Sequence, residues 1–472
     1  MYKAYITELK NVRPHPNADR LQLGDCFGNT VCVNLDYTEG QLGVYFPTDG
    51  QLSVEFAEYN NLLRKKDEAG NNIGGYMDPN KRNVCAIKLR GEKSDGLFLP
   101  LESLAYTGVD LDSLHAGDVI DGVLNGHNIC CKYIPRKNIV EYNKQKYGSK
   151  VPRIKVPLVP LFAEHADTEQ LAYNLAAFKS GDEIEITLKM HGTSQRTGYL
   201  PVLKRFKRTL WDRITRKQGK PIYEYDYVSG TRRTVLENFE GGFYGSNEFR
   251  QQHHDAFVGK LNKGETVYYE VVGFTHTGAP IMGNGKNEKL GKDFVKQYGK
   301  ETVFSYGCSP FGYTRNMIVD DECFDCTPIS HFPQSDIYVY RMTMTNEDGF
   351  VVEYTPDFMR YRCEQMGVKT VPVFVRGYID NEGVCTMRTD NYPYAYAHET
   401  ECVGDTVKHI AEMFYDGPDP IGKTHVREGV VVRILNRPKF TAYKHKNFSF
   451  KVLEGIIKDT AAAPDMEEAQ EV

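Results

Sequence analysis

Residues 189–194 read KMHGTS, and they close the alternating run DEIEITLKM at 182–190. Alternation puts Ile184, Ile186, Leu188 and Met190 on one face of a strand, and Glu185, Thr187 and Lys189 on the other. If the apolar face packs inward, Lys189 ends the strand on the opposite side, where a solvated amine is the ordinary outcome. The residues that follow argue for another use. Gly192 removes a side chain beside the amine, which permits close approach by a ligand. His191, Thr193 and Ser194 supply donors and acceptors around the same point. An amine attacks only when deprotonated, and desolvation, neighbouring cations or a metal lower its pKa toward that role.

Three later stretches repeat the theme of charge set in apolar strands. VYYEVVGF (267–274) holds the single carboxylate Glu270, and REGVVVRI (427–434) places Glu428 before a run of valines. FTAYKHKNFSFKVLE (440–454) puts Lys444 and Lys446 on one face of a strand. Charge in such strands is costly unless partnered. Two carboxylates, one lysine and a lysine pair are good partners for a nucleotide and a divalent ion. Each stretch alone also fits an edge-strand charge or an internal ion pair.

In this order, the Lys-x-His-Gly, Glu-in-strand, Glu-Gly-x-Val-x-Arg and Lys-x-Lys series resembles the covalent nucleotidyltransferase superfamily of polynucleotide ligases and capping enzymes. His191 after Lys-x is similar to RNA ligases, and the combination of that core with an N-terminal OB-like module resembles the Deinococcus-type RNA ligases. The likeness runs from His15 to about Lys451. It implies that Lys189 takes AMP from ATP as a lysyl phosphoramidate, that AMP passes to an RNA 5′-phosphate, and that a 3′-hydroxyl then displaces AMP. Ser194 would lie near ribose or phosphate. In VSGTRR (228–233), Arg232, with Arg233 second, would contact a phosphate or RNA end. Glu270 would accept from a ribose hydroxyl. Tyr338 or Tyr340, with Tyr340 favoured, would stack on adenine. Glu428 would place Mg²⁺ (or Mn²⁺), Lys444 and Lys446 would grip phosphates, and His191 would orient them. The implied partners are RNA ends, in a nicked duplex or a tRNA.

The rest of the sequence sets the frame. The 472 residues are 40% apolar and 26% charged, with net charge −5 and pI near 6.3, an ordinary globular composition. The start, MYKAYITELKNV, has no signal-peptide pattern, and no apolar run reaches about eighteen residues, so a cytoplasmic protein with no membrane span is expected. Eleven scattered cysteines read as reduced thiols. Cys308, Cys323, Cys326 and His331 suit either a zinc site or a plain loop. Two stretches, 132–155 and 204–220, each carry eight Lys or Arg against one acid, with aromatics interleaved. Both suit a phosphate backbone and base stacking, or a solvated loop.

The expected fold is α+β. Short strands at 29–37, 42–47, 84–91 and 96–100 suit a small OB-like β-barrel over 1–130. There HPNADRLQLGDC (15–26) and IKLRGEKSDGL (87–97) resemble the tRNA-binding module appended to some aminoacyl-tRNA synthetases, through His15, Pro16, Ala18, Asp19, Leu21, Gly91, Ser94 and Gly96. A basic linker is expected over 131–165. A nucleotidyltransferase (ATP-grasp-like adenylyltransferase) domain of antiparallel sheets with flanking helices is expected over 166–458, and an acidic disordered tail over 459–472. DTEQLAYNLAAF (167–178) reads as a helix capped by Asp167 with Gln170 three residues on. IYVYRMTM–TNEDG–FVVEY reads as a hairpin. Only 26 residues follow Lys446, too few for the C-terminal barrel of DNA ligases and capping enzymes. Those enzymes, and a non-catalytic OB-fold RNA chaperone, are the alternatives to an RNA ligase.

Overall fold

The structure is a computed structural model that describes residues 2–66, 72–133, 156–215, 219–236, 238–240, 247–276, 278–282, 284–303, 335–380, 385–388, 403–421 and 426–459. The chain divides into two compact units, both discontinuous. One comprises Met1–Arg136, Lys286–Glu301 and Phe448–Thr460, and the other comprises Lys137–Gly285, Thr302–Asn447 and Ala461–Val472. The expected boundary near 458 therefore moves, because the helix Phe448–Asp459 belongs with the N-terminal residues.

In the first unit the expected strands form at Asn29–Val33, Leu42–Phe46, Ala86–Leu89 and Leu97–Pro100. They do not close into one barrel among the described residues, but lie in separate sheets of two to four strands. The two motif segments hold each other. His15 Nε2 lies 3.1 Å from Leu89 O, and Asn17 Nδ2 donates to Arg90 O at 3.0 Å. Ser94 Oγ accepts from Cys32 N. Gly96 has φ +116°, and a Cβ there would meet Tyr45 at 2.6 Å. Lys451 of the 448–459 helix pairs with the buried Asp95 at 2.6 Å.

Among the described residues, the second unit has thirteen strands in two sheets. These are β1 (Glu169–Gln170), β2 (Glu183–Leu188), β3 (Thr193–Lys207), β4 (Lys220–Gly230), β5 (Val235–Leu236), β6 (Glu265–Gly273) and β7 (Ser335–Thr345). Then come β8 (Val351–Glu353), β9 (Lys369–Thr370), β10 (Val373–Ile379), β11 (Cys385–Arg388), β12 (Gly429–Ile434) and β13 (Thr441–Lys446). One sheet runs β1-β13-β12-β2-β10-β11, and the other runs β5-β4-β3-β6-β7-β8 with β9 also on β7. Among the described residues of these two sheets, only the β1–β13 and β7–β9 pairs are parallel. The α+β expectation with mostly antiparallel sheets holds, and so does the β7–β8 hairpin, with Thr345 opposite Val351.

Alternation decides which faces are covered. Ile184, Ile186, Val430 and Val432 pack with Val407 and Ile410 of α3 (Val403–Glu412). Val267, Tyr269 and Val271 pack with Phe249 of α1 (Glu248–Asp255) and with Met359 and Cys363 of α2 (Pro356–Met366). Period two then leaves Tyr268, Glu270 and Val272 on the opposite face of β6. There Val272 joins Leu188, Met190, Tyr338 and Val371, the apolar patch where the two sheets meet. Glu185 does not reach solvent, because it is buried on Arg360 of α2 at 2.9 Å.

Two readings of the sequence need correction. Residues 167–178 form β1 and two 3₁₀ turns, and Gln170 makes no cap bond. Asp167 instead binds two arginines, described below. Residues 156–165 are not all linker, since Val159 and Phe162 are buried with Leu200 and Val228. Residues 134–155, most of the first basic stretch, lie outside the described residues, as do 460–472 and Cys308, Cys323, Cys326 and His331. Among the described residues no group of His, Cys, Asp and Glu is placed to hold a metal on its own, and no helix is long and apolar enough to cross a membrane.

Candidate active site

Three segments of the chain converge where β2 ends. The Lys189 amide donates to Gly429 O at 3.0 Å, Gly429 lies opposite Lys446 on β13, and Asn447 N donates to Glu428 O at 2.8 Å. The glycine after Glu428 is required by that approach. It has φ +145°, and a Cβ would lie 2.1 Å from His445 O. Glu428 is 3% exposed and sits at the centre. Lys189 Nζ lies 2.6 Å from its Oε1, Lys446 Nζ lies 3.4 Å from the same oxygen, and His191 Nδ1 lies 3.3 Å from Oε2. Burial alone would push this carboxyl up. The Lys189 and Lys446 ammonium groups and the His191 contact outweigh it and hold Glu428 well below the usual carboxylate range. The sequence motifs at 189, 191, 428 and 446 therefore meet as one ion cluster. Lys444 is next to it, on the same face of β13 as Lys446.

A second pair lies on the neighbouring sheet. Ser194 is opposite Glu270 in the β3–β6 register, and its Oγ donates to Glu270 Oε2 at 3.3 Å. Gly192 has a different purpose from the one first read. A Cβ there would lie 2.4 Å from Val271 O and 2.9 Å from Glu270 Cγ, so the missing side chain makes room for β6 itself. Tyr338 lies opposite Glu270 and is buried in the patch between the sheets. Tyr340, two residues on, is partly exposed, with its ring 5.4 Å from that of His165.

Arg232 belongs to a third group. Its Nη2 donates to Asp167 Oδ1 at 2.6 Å, and Arg233 Nη2 donates to Asp167 Oδ2 at 3.0 Å. Its carbonyl accepts from Arg196 Nη1 at 2.8 Å and from His165 N at 3.1 Å. Burial, then the charges of Arg232 and Arg341, push the His165 imidazole down to about 3, so it stands neutral near pH 7. His165 and Arg196 escaped the sequence reading, and Asp167 entered it only as a helix cap. Arg196 carried a signal, since it is two residues beyond Ser194 on the same strand face. His165 sat in a segment with no periodicity to place it.

This arrangement offers an amine on a buried carboxylate, a second ammonium sharing that oxygen, and a hydroxyl–carboxylate pair beside a half-open aromatic ring. No family model and no curated protein sequence matches the chain. Solved structures do. A Naegleria gruberi RNA ligase variant with ATP and Mn is similar at 15% identity and TM-score 0.51, over 97% of this chain and 99% of that one. The same ligase with PPi gives 15% and 0.51, over 95% and 97%. A variant with AMP and Mn gives the same identity and TM-score, also over 95% and 97%. The chain has an RNA ligase fold. At this identity the likeness is one of fold, and it spans both units of the chain. The cluster at Glu428 and the Ser194–Glu270 pair are features of this chain itself.

Proposed function

We propose that this protein is an ATP-dependent RNA ligase, of the Deinococcus type, that joins RNA 3′-hydroxyl and 5′-phosphate ends through a lysyl-AMP intermediate. The observation that carries the reading is the Lys189–Glu428–Lys446 cluster, set in a fold shared with ligases solved with ATP, AMP and PPi. The Lys189 amine attacks the α-phosphorus of ATP. An N–P bond forms, the P–O bond to pyrophosphate breaks, and the Lys189 nitrogen gives up its protons to solvent water. Glu428, held ionised, orients the amine and is too weak a base to be its main proton acceptor. Lys446 and Lys444 take the charge of the phosphates, and His191 orients them. Glu270 accepts from the ribose, Ser194 lies beside it, and Tyr340 is the more accessible ring for adenine. AMP then moves to the RNA 5′-phosphate, which Arg232 contacts, and the 3′-hydroxyl displaces it.

A divalent ion suits the donor chemistry here, because one buried carboxylate together with phosphate oxygens is a common way to hold Mg²⁺. Glu428 would hold it, and when bound the ion offsets charge on the phosphates. The N-terminal unit is proposed to grip RNA as an OB-like module.

The test is sealing. Purified protein, ATP and Mg²⁺ should join a nicked RNA carrying 3′-hydroxyl and 5′-phosphate ends and release AMP, and GTP should not replace ATP. Sealing of DNA alone, or RNA binding without any joining, would reject the assignment.

A further inference from the structure

The β3–β4 hairpin extends far past the site and ends in a surface that the ATP chemistry does not use. Its turn holds a short helix, Leu210–Ile214, fixed by a capping box. Asp212 N donates to Thr209 Oγ1 at 3.2 Å, and Thr209 N donates to Asp212 Oδ2 at 2.9 Å. Thr215 N closes the turn on Trp211 O at 2.8 Å. The turn presents Leu210, Trp211 and Ile214 at 77%, 74% and 73% exposure. Single exposed apolar side chains need no explanation, but three large ones on one capped turn do.

The charge around them chooses the partner. Residues 205–222 carry seven Lys or Arg and one acid, Asp212, whose carboxylate is committed to the cap. Lys207 and Lys220 are register partners at the end of the ladder. Like charges directly opposite destabilise a hairpin by themselves, and a polyanion laid across them relieves the repulsion. An aromatic ring with flanking cations is the arrangement that stacks a base while following its phosphates.

We propose that this hairpin tip is an RNA-docking surface, with Trp211 stacking on an unpaired base and Lys207, Arg208 and Lys220 following the backbone. The inference rests on the RNA-ligase reading and adds a strand-binding surface outside the ATP site. Trp211 is the chain's only tryptophan, so its fluorescence in the full-length protein reports this surface alone. Single-stranded RNA with 3′-hydroxyl and 5′-phosphate ends should quench it saturably, less so as salt rises. Trp211→Ala should weaken RNA binding about tenfold, and Lys207→Glu should weaken it and flatten the salt dependence.

Unchanged emission while a gel shift shows RNA bound overturns the inference. A response to phosphatidylcholine–phosphatidylserine vesicles but not to RNA overturns it in favour of a lipid surface. Covalent labelling by α-labelled ATP needs no RNA and reads the ligase assignment separately. Label present with no RNA response at Trp211 rejects only the docking surface, and label absent rejects the assignment beneath it.

Discussion

Glu428 shows what a single residue can reveal in sequence and what it cannot. A lone carboxylate before three valines signals a buried charge that needs partners, because an unpaired one would be prohibitive. Its partners are 239 residues upstream at Lys189 and 18 downstream at Lys446, and no local pattern joins them. Removing the charge leaves two ammonium groups facing an amide. Glu428→Gln is expected to slow formation of covalent protein–AMP about a hundredfold, as a loss of roughly 2.7 kcal/mol of charge stabilisation would. Quantifying label per minute checks it, and a change under threefold would contradict the central place given to this carboxylate. Gly192 carried the opposite lesson. The sequence marks this glycine, but its reason lies in β6, against Val271 and Glu270. Gly192→Ala forces a Cβ to within 2.4 Å of Val271 O, so it should both lower the melting temperature and abolish labelling. A normal melting curve would show that the backbone yields there.

At the scale of elements, strong periodicity was legible and weak patterns were not. β2 follows from alternation, β6 and β12 from apolar runs that carry one carboxylate, β13 from its Lys-x-Lys spacing, and the β7–β8 hairpin from its turn. Residues 167–178 failed because Asp167 has a better use than a cap, two guanidinium groups in reach. The buried pairs that tie elements together were invisible in the same way. Glu265, at the start of β6, is fully buried and binds Arg362 of α2 at 2.9 Å and the Tyr354 hydroxyl at 2.9 Å. Burial pushes its carboxyl up, and Arg362, the Asn262 amide and Tyr354 together bring it below the ordinary value. Its folded value is thus depressed, so its stabilisation is present above the unfolded carboxylate pKa of about 4.3 and fades as pH falls through the folded value. Glu265→Gln should cost about 3 kcal/mol near neutrality, and the gap to the parent should narrow in acid. Urea unfolding at both pH values reads this, and a gap that widens in acid would overturn the pairing. His445 is a similar anchor. Buried on β13 between the two motif lysines, it lies 3.4 Å from Glu412 of α3 and is stacked on Tyr415. Burial pushes the Glu412 carboxyl up, and His445 and Lys408 bring it down to about 2. Glu412→Gln loosens the strand that carries Lys446 while leaving Lys189 in place. It should raise the KM for ATP several-fold with kcat nearly kept, and Glu412→Asp should recover part of the loss. An equal fall in kcat would contradict a positioning role.

For the molecule as a whole, composition said only that the chain is an ordinary globular protein. The order of motifs was far more informative, because it named residues far apart in the chain, Lys189, His191, Glu428 and Lys446, that meet in one ion cluster. The barrel expected at the N-terminus did not appear as one closed sheet, since its motif glycines and His15 hold local turns and loops rather than a continuous ladder. Nor could the sequence show that residues 448–459 fold with the N-terminal unit, which depends on Lys451 meeting Asp95. At this scale the reading requires a divalent ion. Chelation with EDTA should abolish protein–AMP formation, and Mg²⁺ or Mn²⁺ should restore it, whereas undiminished labelling in EDTA would remove the ion from the mechanism.

The most direct measurement is the site of that covalent bond. The protein is incubated with α-labelled ATP and Mg²⁺, denatured, digested, and its labelled peptide identified by mass. AMP is expected on Lys189 alone, absent from Lys189→Ala and retained in Lys179→Ala, an exposed lysine away from the cluster. AMP on another residue, or label that persists in Lys189→Ala, would contradict the account.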